Sequence, residues 1–246
     1  MKRLCINIDH IATLREARAA LEPDPVHAVP ILENAGASGV VVHLREDRRH
    51  INDRDLRLLR EVIKTKLDLE MAATAEMKSI ALEVLPELVT LVPEKRMELT
   101  TEGGLDLRLT QAALSEYIPP LQDADIEVSL FIDPDPEQVA LAAGLGADYI
   151  EIHTGEFANA RTREARVYQI ERIRAAAKQA HQLGLRVNAG HGLNYDNVVD
   201  MLAIHEIGEM SIGHSIIARS VFVGLDQAVR DMVALFRLFP APDGLH

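Results

Sequence analysis

The sequence is short of most features that would place it at once. There is one cysteine, Cys5, among 246 residues, so no internal disulfide framework and no cysteine cluster for zinc can form, and a reducing compartment is expected. No run approaches the roughly 18 apolar residues of a membrane span, and the start MKRLCINID lacks the apolar segment and cleavage site of a secretory signal. The expectation is a cytoplasmic protein with no membrane partner. Positive charge is scarce: 26 Lys and Arg stand against 38 Asp and Glu, for a formal net charge of -12. This argues against a broad cationic face for nucleic acid, and any anionic ligand needs a local cationic pocket. A dinucleotide fingerprint and a P-loop are both missing: GLGADY, at 144–149, follows a helix and precedes a strand, the wrong context for binding a nucleotide. Neither H-x-H nor H-E-x-x-H occurs, so a metal site would need ligands brought together from distant positions. No linker rich in proline, glycine or serine divides the chain, which reads as one domain over residues 1–246.

What is present is a regular alternation. With 48% hydrophobic residues, the chain has material for one large core. Eight short apolar runs read as strands: Leu4 to Ile8, Gly39 to Leu44, Leu67 to Ala72, Leu88 to Val92, Ile126 to Ile132, Tyr149 to His153, Arg186 to Gly190 and Glu209 to Gly213. Helical segments lie between them. Asp24-Pro25 and Asp135-Pro136 look like N-caps with proline at the first helical position, and Pro30 should kink or shorten the helix it interrupts. From Thr162 to Gly184 the residues Val167, Ile170, Ile173, Ala177 and Ala180 keep helical spacing, and Asn194 is placed to cap a helix carrying Val198, Met201 and Leu202. NAGASGVVVH (34–43) and GLGADYIEIH (144–153) align without a gap, through duplication or because two helix-to-strand turns share their punctuation. Eight such units over this length predict an α/β fold, a closed (β/α)8 TIM barrel with extra helices; an open doubly wound sheet is the rival.

In a parallel barrel the chemistry sits where strands end. Read at those positions, the chain offers Asn7, Asp9 and His10 after strand 1, His43, Arg45 and His50 after strand 2, and Glu70 on strand 3. Glu151 and His153 end strand 6, Asn188 and His191 mark strand 7, and His214 follows strand 8. Six of the ten histidines thus fall at strand exits. Each alone would pass for a hydrogen-bonding residue on a wet rim; their convergence on one mouth suggests proton transfer. Glu70, between Leu69 and Met71, should have a raised pKa if it faces inward, unless a neighbouring arginine pairs with it. Gly190-His191-Gly192 and Gly213-His214-Ser215, the latter leading into SIIARSVF, suit a phosphate held by backbone amides and a helix N-terminus. The polar stretch from Pro93 to Thr110, with Gly103-Gly104, reads as a lid or as an ordinary solvated loop.

The segments INIDHIATLREAR, VVHLREDRRHI, DLEMA, VPEKRMELTTEGGLD, IEIHTGEFA, VNAGHGLN and SIGHSIIARS, in this order from about Lys2 to about Leu238, resemble the pyridoxine 5'-phosphate synthase family of the deoxyxylulose-dependent vitamin B6 pathway. The resemblance implies a barrel assembled as a homo-octamer of four dimers, with neither metal nor organic cofactor. It implies condensation of 3-amino-2-oxopropyl phosphate with 1-deoxy-D-xylulose 5-phosphate to pyridoxine 5'-phosphate, phosphate and water. By the same resemblance, His43 and Glu70 are proton acceptors, His191 a proton donor, and Glu151 stabilises the transition state. Asn7, Arg18, Gly192, Gly213 and His214 would contact the aminoketone phosphate, and Asp9, His10, Arg45, His50 and Thr100 the deoxyxylulose phosphate. Two other classes stay open on the residues alone: a metal-dependent, aldolase-like barrel acting on a sugar phosphate, and a non-catalytic module that binds phosphorylated ligands.

Overall fold

The computed structural model describes residues 2–94 and 103–239. Eight parallel strands close into a barrel in sequence order: β1 (Arg3–Asn7), β2 (Gly39–His43), β3 (Leu67–Met71), β4 (Leu88–Leu91), β5 (Glu127–Ile132), β6 (Tyr149–His153), β7 (Arg186–Gly190) and β8 (Ile207–Ile212). Every expected strand is found, and the open sheet is ruled out by the β1–β8 pairing. The largest boundary error is at β8, which starts at Ile207, two residues early, where a bulge beside Val187 and Asn188 lets it pair with β7.

The helices are α1 (Asp9–Glu16), α2 (Val29–Ala35), α3 (Asp53–Val62), α4 (Ala75–Val84), α5 (Leu107–Tyr117), α6 (Pro119–Gln122), α7 (Pro136–Gly144), α8 (Gly155–Ala158), α9 (Arg163–Gln182), α10 (Val198–Leu202), α11 (His214–Val223) and α12 (Leu225–Arg237). Pro30 acts as expected: a 3-10 turn over Pro25–Ala28 precedes it, and α2 restarts with the proline in its first turn, where no amide hydrogen is missed. Asp135 and Thr162 cap α7 and α9 through their side chains. Two helix details differ from expectation. Val167 is 52% exposed, because the buried stripe of α9 runs through Ile173, Ala176, Ala177 and Ala180 instead. Asn194 heads a turn, accepting from the backbone of Asp196 and Asn197, and α10 starts only after Asn197. In both 34–43 and 144–153 the aligned glycines, Gly36 (φ 106°) and Gly146 (φ 74°), take the left-handed conformation as a helix turns into a strand.

Side chains of a strand alternate between its faces, and here the two faces differ in kind. Leu4, Ile6, Val40, Val42, Leu69 and Met71 face the helices and join one hydrophobic cluster with their counterparts on the other strands. Among the alternate residues, Asp68, Thr90, Ser129, Glu151, Asn188 and Glu209 are buried and polar and share the barrel interior with apolar Cys5, Val41 and Phe131. Lys66 pairs with Glu209, and Asp68 accepts a hydrogen bond from the Thr90 hydroxyl at 2.9 Å. The wall is therefore stabilised from outside, and the interior is free to carry charge.

Candidate active site

At the C-terminal end of the barrel lies a cleft of about 820 Å³. Its floor holds Glu70 and Glu151. Around the rim stand Asn7, Asp9 and His10 from the β1–α1 junction, His43, Arg45 and His50 after β2, and His191, Gly192, Gly213 and His214 from the last two units. Five of the six strand-exit histidines thus share one cavity. The sixth, His153, packs behind His191.

Local structure explains the placement. Asn7 donates to Asp9 at 2.8 Å, and the other Asp9 oxygen accepts the His43 backbone N–H at 2.9 Å, so β1 and β2 leave the barrel tied together. The loop carrying Arg45 and His50 is fastened by Arg15, buried in a two-pronged pair with Asp55 at 2.9 and 2.8 Å while also donating to the His50 carbonyl. Gly213 has no room for a side chain: a Cβ would lie 3.0 Å from both the Cβ and the carbonyl oxygen of Asn7. His191 (φ 77°) and Gly192 (φ 81°) are both left-handed. A non-glycine residue there costs on the order of 1–3 kcal/mol. Thr154 offsets part of this, each net hydrogen bond being worth about 1 kcal/mol: its N–H donates to the Gly190 carbonyl, and its hydroxyl sits 2.8 and 2.7 Å from the carbonyls of Gly190 and His191.

The electrostatics are those of a site holding protons. Burial, then the nearby charges of Glu151, Asp9 and Asp68, push Glu70 well above the ordinary carboxylate range. No arginine pairs with Glu70 among the described contacts; its near neighbour is His43, Nδ1 to Oε2 3.9 Å. Glu151 is raised to about 8 by burial and by Asp68 and Glu209, and burial raises Asp68 to about 7. Burial, helped by His153, lowers His191 to about 4, so the ring is uncharged at neutral pH.

These carboxyls bear on stability. Between about pH 4.5 and 8 the folded chain keeps protons on Glu151 and Asp68 that the unfolded chain releases, so stability falls as pH rises through that window. Glu151→Gln removes one contribution. Its melting temperature at pH 8 is expected to exceed that of the parent by roughly 3 °C or more, with the gain vanishing near pH 4.5. A gain of equal size at both pH values in a calorimetric scan would contradict this origin.

One expected residue, Arg18, does not line the cleft of its own chain. Arg18 lies exposed on the turn beyond α1: Asp9, His10 and Thr13 occupy the turns of that helix nearest the cleft, and eight residues from His10 to Arg18 correspond to about 12 Å of rise. Thr100 lies outside the described residues. The expected loop from Pro93 to Thr110 is also shorter than read, because Asp106 caps α5 and helix begins at Leu107. Gly104 is fixed against β5, where a Cβ would overlap the backbone of Ile132 and Asp133.

Sequence reading missed Glu94. It accepts from His43 Nε2 at 2.8 Å and from the Glu46 backbone N–H at 3.1 Å. Burial would raise the Glu94 carboxyl, but the hydrogen bond and charge of His43, with the Glu46 N–H and Arg45, together outweigh it and hold the carboxyl below its usual range. Its place in a polar stretch, one residue past Pro93, gave no signal. Arg49 also lines the cleft and pairs with Asp47 at 2.6 Å. Asp9, His43 and Glu70 can offer a cation three ligand atoms within 4.8 Å of one another, a group assembled from three strand ends that no sequence spacing reveals.

Comparison with known proteins decides the family: the family described as "Pyridoxal phosphate biosynthesis protein PdxJ" matches residues 4–237. The chain belongs to the PdxJ family. A PdxJ relative from Geobacter sulfurreducens, named pyridoxine 5'-phosphate synthase, is 61% identical over 96% of this chain and 99% of its own. Another so named, from Syntrophobacter fumaroxidans, is 57% identical with the same coverage. Solved structures share the barrel at much lower identity. Phosphoribosyl anthranilate isomerase from Thermus thermophilus superposes with a TM-score of 0.61 at 15% identity, covering 97% of this chain and 100% of that one. KGPDC from Streptococcus mutans does so at 0.64 and 12%, covering 97% and 99%. At such identity only the PdxJ fold is shared with them. Among the described residues, no helix is long and apolar enough to cross a membrane.

Proposed function

We propose that the cleft condenses 3-amino-2-oxopropyl phosphate with 1-deoxy-D-xylulose 5-phosphate to pyridoxine 5'-phosphate, the reaction of a pyridoxine 5'-phosphate synthase. The observation that carries this is the pairing, in one cavity, of a carboxyl and an imidazole shifted in opposite senses. Glu70 keeps its proton where a carboxylate would ordinarily lose it, and His191 stays uncharged. Environments that push two titratable groups apart mark both as groups that exchange protons. A sequence of amine addition, dehydration, phosphate loss and ring closure moves protons at carbon, nitrogen and oxygen in turn.

Glu70 and His43 serve as proton acceptors. Glu70 takes that role once the amine of the aminoketone brings positive charge beside it and draws its pKa down. His43, steadied by Glu94, sits 3.9 Å from Glu70 and hands protons to and from it. His191 donates after a substrate phosphate favours its charged form, and Glu151 stabilises the transition state as a buried acid. The N-terminus of α11, at Gly213 and His214, with Asn7 and Gly192, cradles the aminoketone phosphate. Asp9, His10, Arg45 and His50 hold the deoxyxylulose phosphate, with Arg45 as its cation. Arg18 and Thr100 belong to the same reading. Since Arg18 is absent from the cleft of its own chain, its contact calls for a second copy, in keeping with a cytoplasmic homo-octamer. Exposed Leu14, Val221 and Phe222 on α1 and α11 supply apolar surface for such contacts.

The test is to mix both substrates with purified protein and seek pyridoxine 5'-phosphate by mass spectrometry. Product is expected, at a rate unchanged by chelator. The cation-binding group Asp9, His43 and Glu70 favours a metal-dependent aldolase-like reading, which wins if chelator abolishes turnover and a divalent metal restores it. Binding of both substrates without product would leave only the ligand-binding module.

A further inference from the structure

His153 has no part in the scheme above. It ends β6, is 7% exposed, and lies outside the lining of the cleft. Its surroundings are nonetheless built around it. Nδ1 lies 2.9 Å from Asp133 Oδ1, the same oxygen that accepts the Gly104 backbone N–H at 3.1 Å. Phe131 packs on one side with ring centroids 5.2 Å apart. On the other, the ring meets His191 at 4.9 Å with planes 61° apart. Gly155 is what allows this contact: a Cβ there would lie 2.5 Å from His153 Nε2 and 3.2 Å from His191 Cδ2.

We propose that His153, anchored by the Asp133 carboxylate, is the positioning residue that holds the His191 ring toward the cleft. The proposal rests on the acid-base reading of His191. Three observations separate it from simple packing. A filler of the space behind His191 needs no carboxylate, yet Asp133 is held below its usual range, first by the hydrogen bond from His153. With Nδ1 engaged by Asp133, Nε2 is buried with no partner among the described residues, a cost that packing alone would avoid with phenylalanine. Next in sequence, Thr154 grips the backbone of the same His191 through its carbonyl, so β6 fixes both ring and main chain. Orientation of an acid-base group by a third residue is a recurring arrangement in catalysis.

The charged and titratable neighbours give the sign of the electrostatic effect. His191 faces His153 and, across Gly190, Glu151, both from β6. His153 faces Asp133, which in turn feels Arg172 of α9. A proton on His153 opposes one on His191, so removing the imidazole should raise the His191 pKa from about 4.

The experiment uses the full chain carrying His153→Gln or Asp133→Asn, each checked for melting temperature. It reads kcat and KM across pH, and the His191 titration by NMR of labelled histidine. For His153→Gln we expect kcat to fall about tenfold or more with KM little changed, and the His191 midpoint to rise by about one pH unit. Asp133→Asn should move both quantities the same way by less, and carries the test alone if His153→Gln does not fold. Unaltered kcat and titration in a folded variant overturn the proposal, and so does a loss of rate that merely tracks a lower melting temperature with no change in titration. If the parent protein makes no pyridoxine 5'-phosphate, the functional reading fails, while the NMR midpoint still decides whether His153 controls His191. If the parent is active and His191→Asn is not, wild-type kinetics in both His153 and Asp133 variants sink the positioning role alone.

Discussion

Replacing Glu70 with glutamine is expected to lower kcat by about 10²–10⁴-fold, the range for a lost acid-base group, while leaving the fold intact. The amide has nearly the shape of the carboxylic acid and, like it, carries no charge, so the burial that raises the Glu70 pKa also makes the uncharged replacement welcome. Only the capacity to exchange a proton is lost. Substrate binding should change little, because the proposed phosphate contacts lie with the N-terminus of α11 and the loop after β2. Steady-state kinetics with circular dichroism and a melting curve on the same preparation check both halves. A variant that turned over at the parent rate would remove Glu70 from the mechanism.

The second large effect is expected at Gly190, which sequence reading placed only in a phosphate-holding turn. In Gly190→Ala the new Cβ would overlap Glu151 Oε1 and lie 3.1 Å from Glu151 Cδ and 3.4 Å from Ser211 Cβ. Glu151 is 2% exposed, and the space its carboxyl end can turn into is the cleft itself. Overpacking of this kind costs about 1–3 kcal/mol, so the melting temperature should drop by roughly 2–10 °C, and displacement of Glu151 should reduce kcat more than KM. Both follow from one methyl group. An unchanged melting temperature together with an unchanged rate would mean that the carboxylate of Glu151 does not rest against β7.

Much of this was legible in the sequence because parallel-barrel physics is periodic. Strands buried on the helix side need unbroken apolar alternation, and the N-caps at Asp24, Asp135 and Thr162 mark helix starts by local hydrogen bonding. The strand-exit rule then identified Asp9, His43, Glu70, Glu151 and His191 as neighbours although they are far apart in the chain. What escaped depended on three-dimensional reach. Glu94 is an ordinary acid until the end of β4 brings it against His43, and Asp133 gains meaning only opposite His153. Arg18 was reached by motif likeness alone, and it lies exposed beyond α1, outside the cleft lining of its own chain.

The division of labour between the two faces of each strand has a practical consequence. The outward residues, Leu4 and Ile6, Val40 and Val42, Ile150 and Ile152, fasten the wall to its helices. A mutant library confined to inward positions that line the cleft, such as Phe131 and Ser211, would therefore vary the chemistry at the mouth without touching the contacts between wall and helices. Directed evolution of this barrel toward another condensation should start from those positions and leave the outer ones fixed.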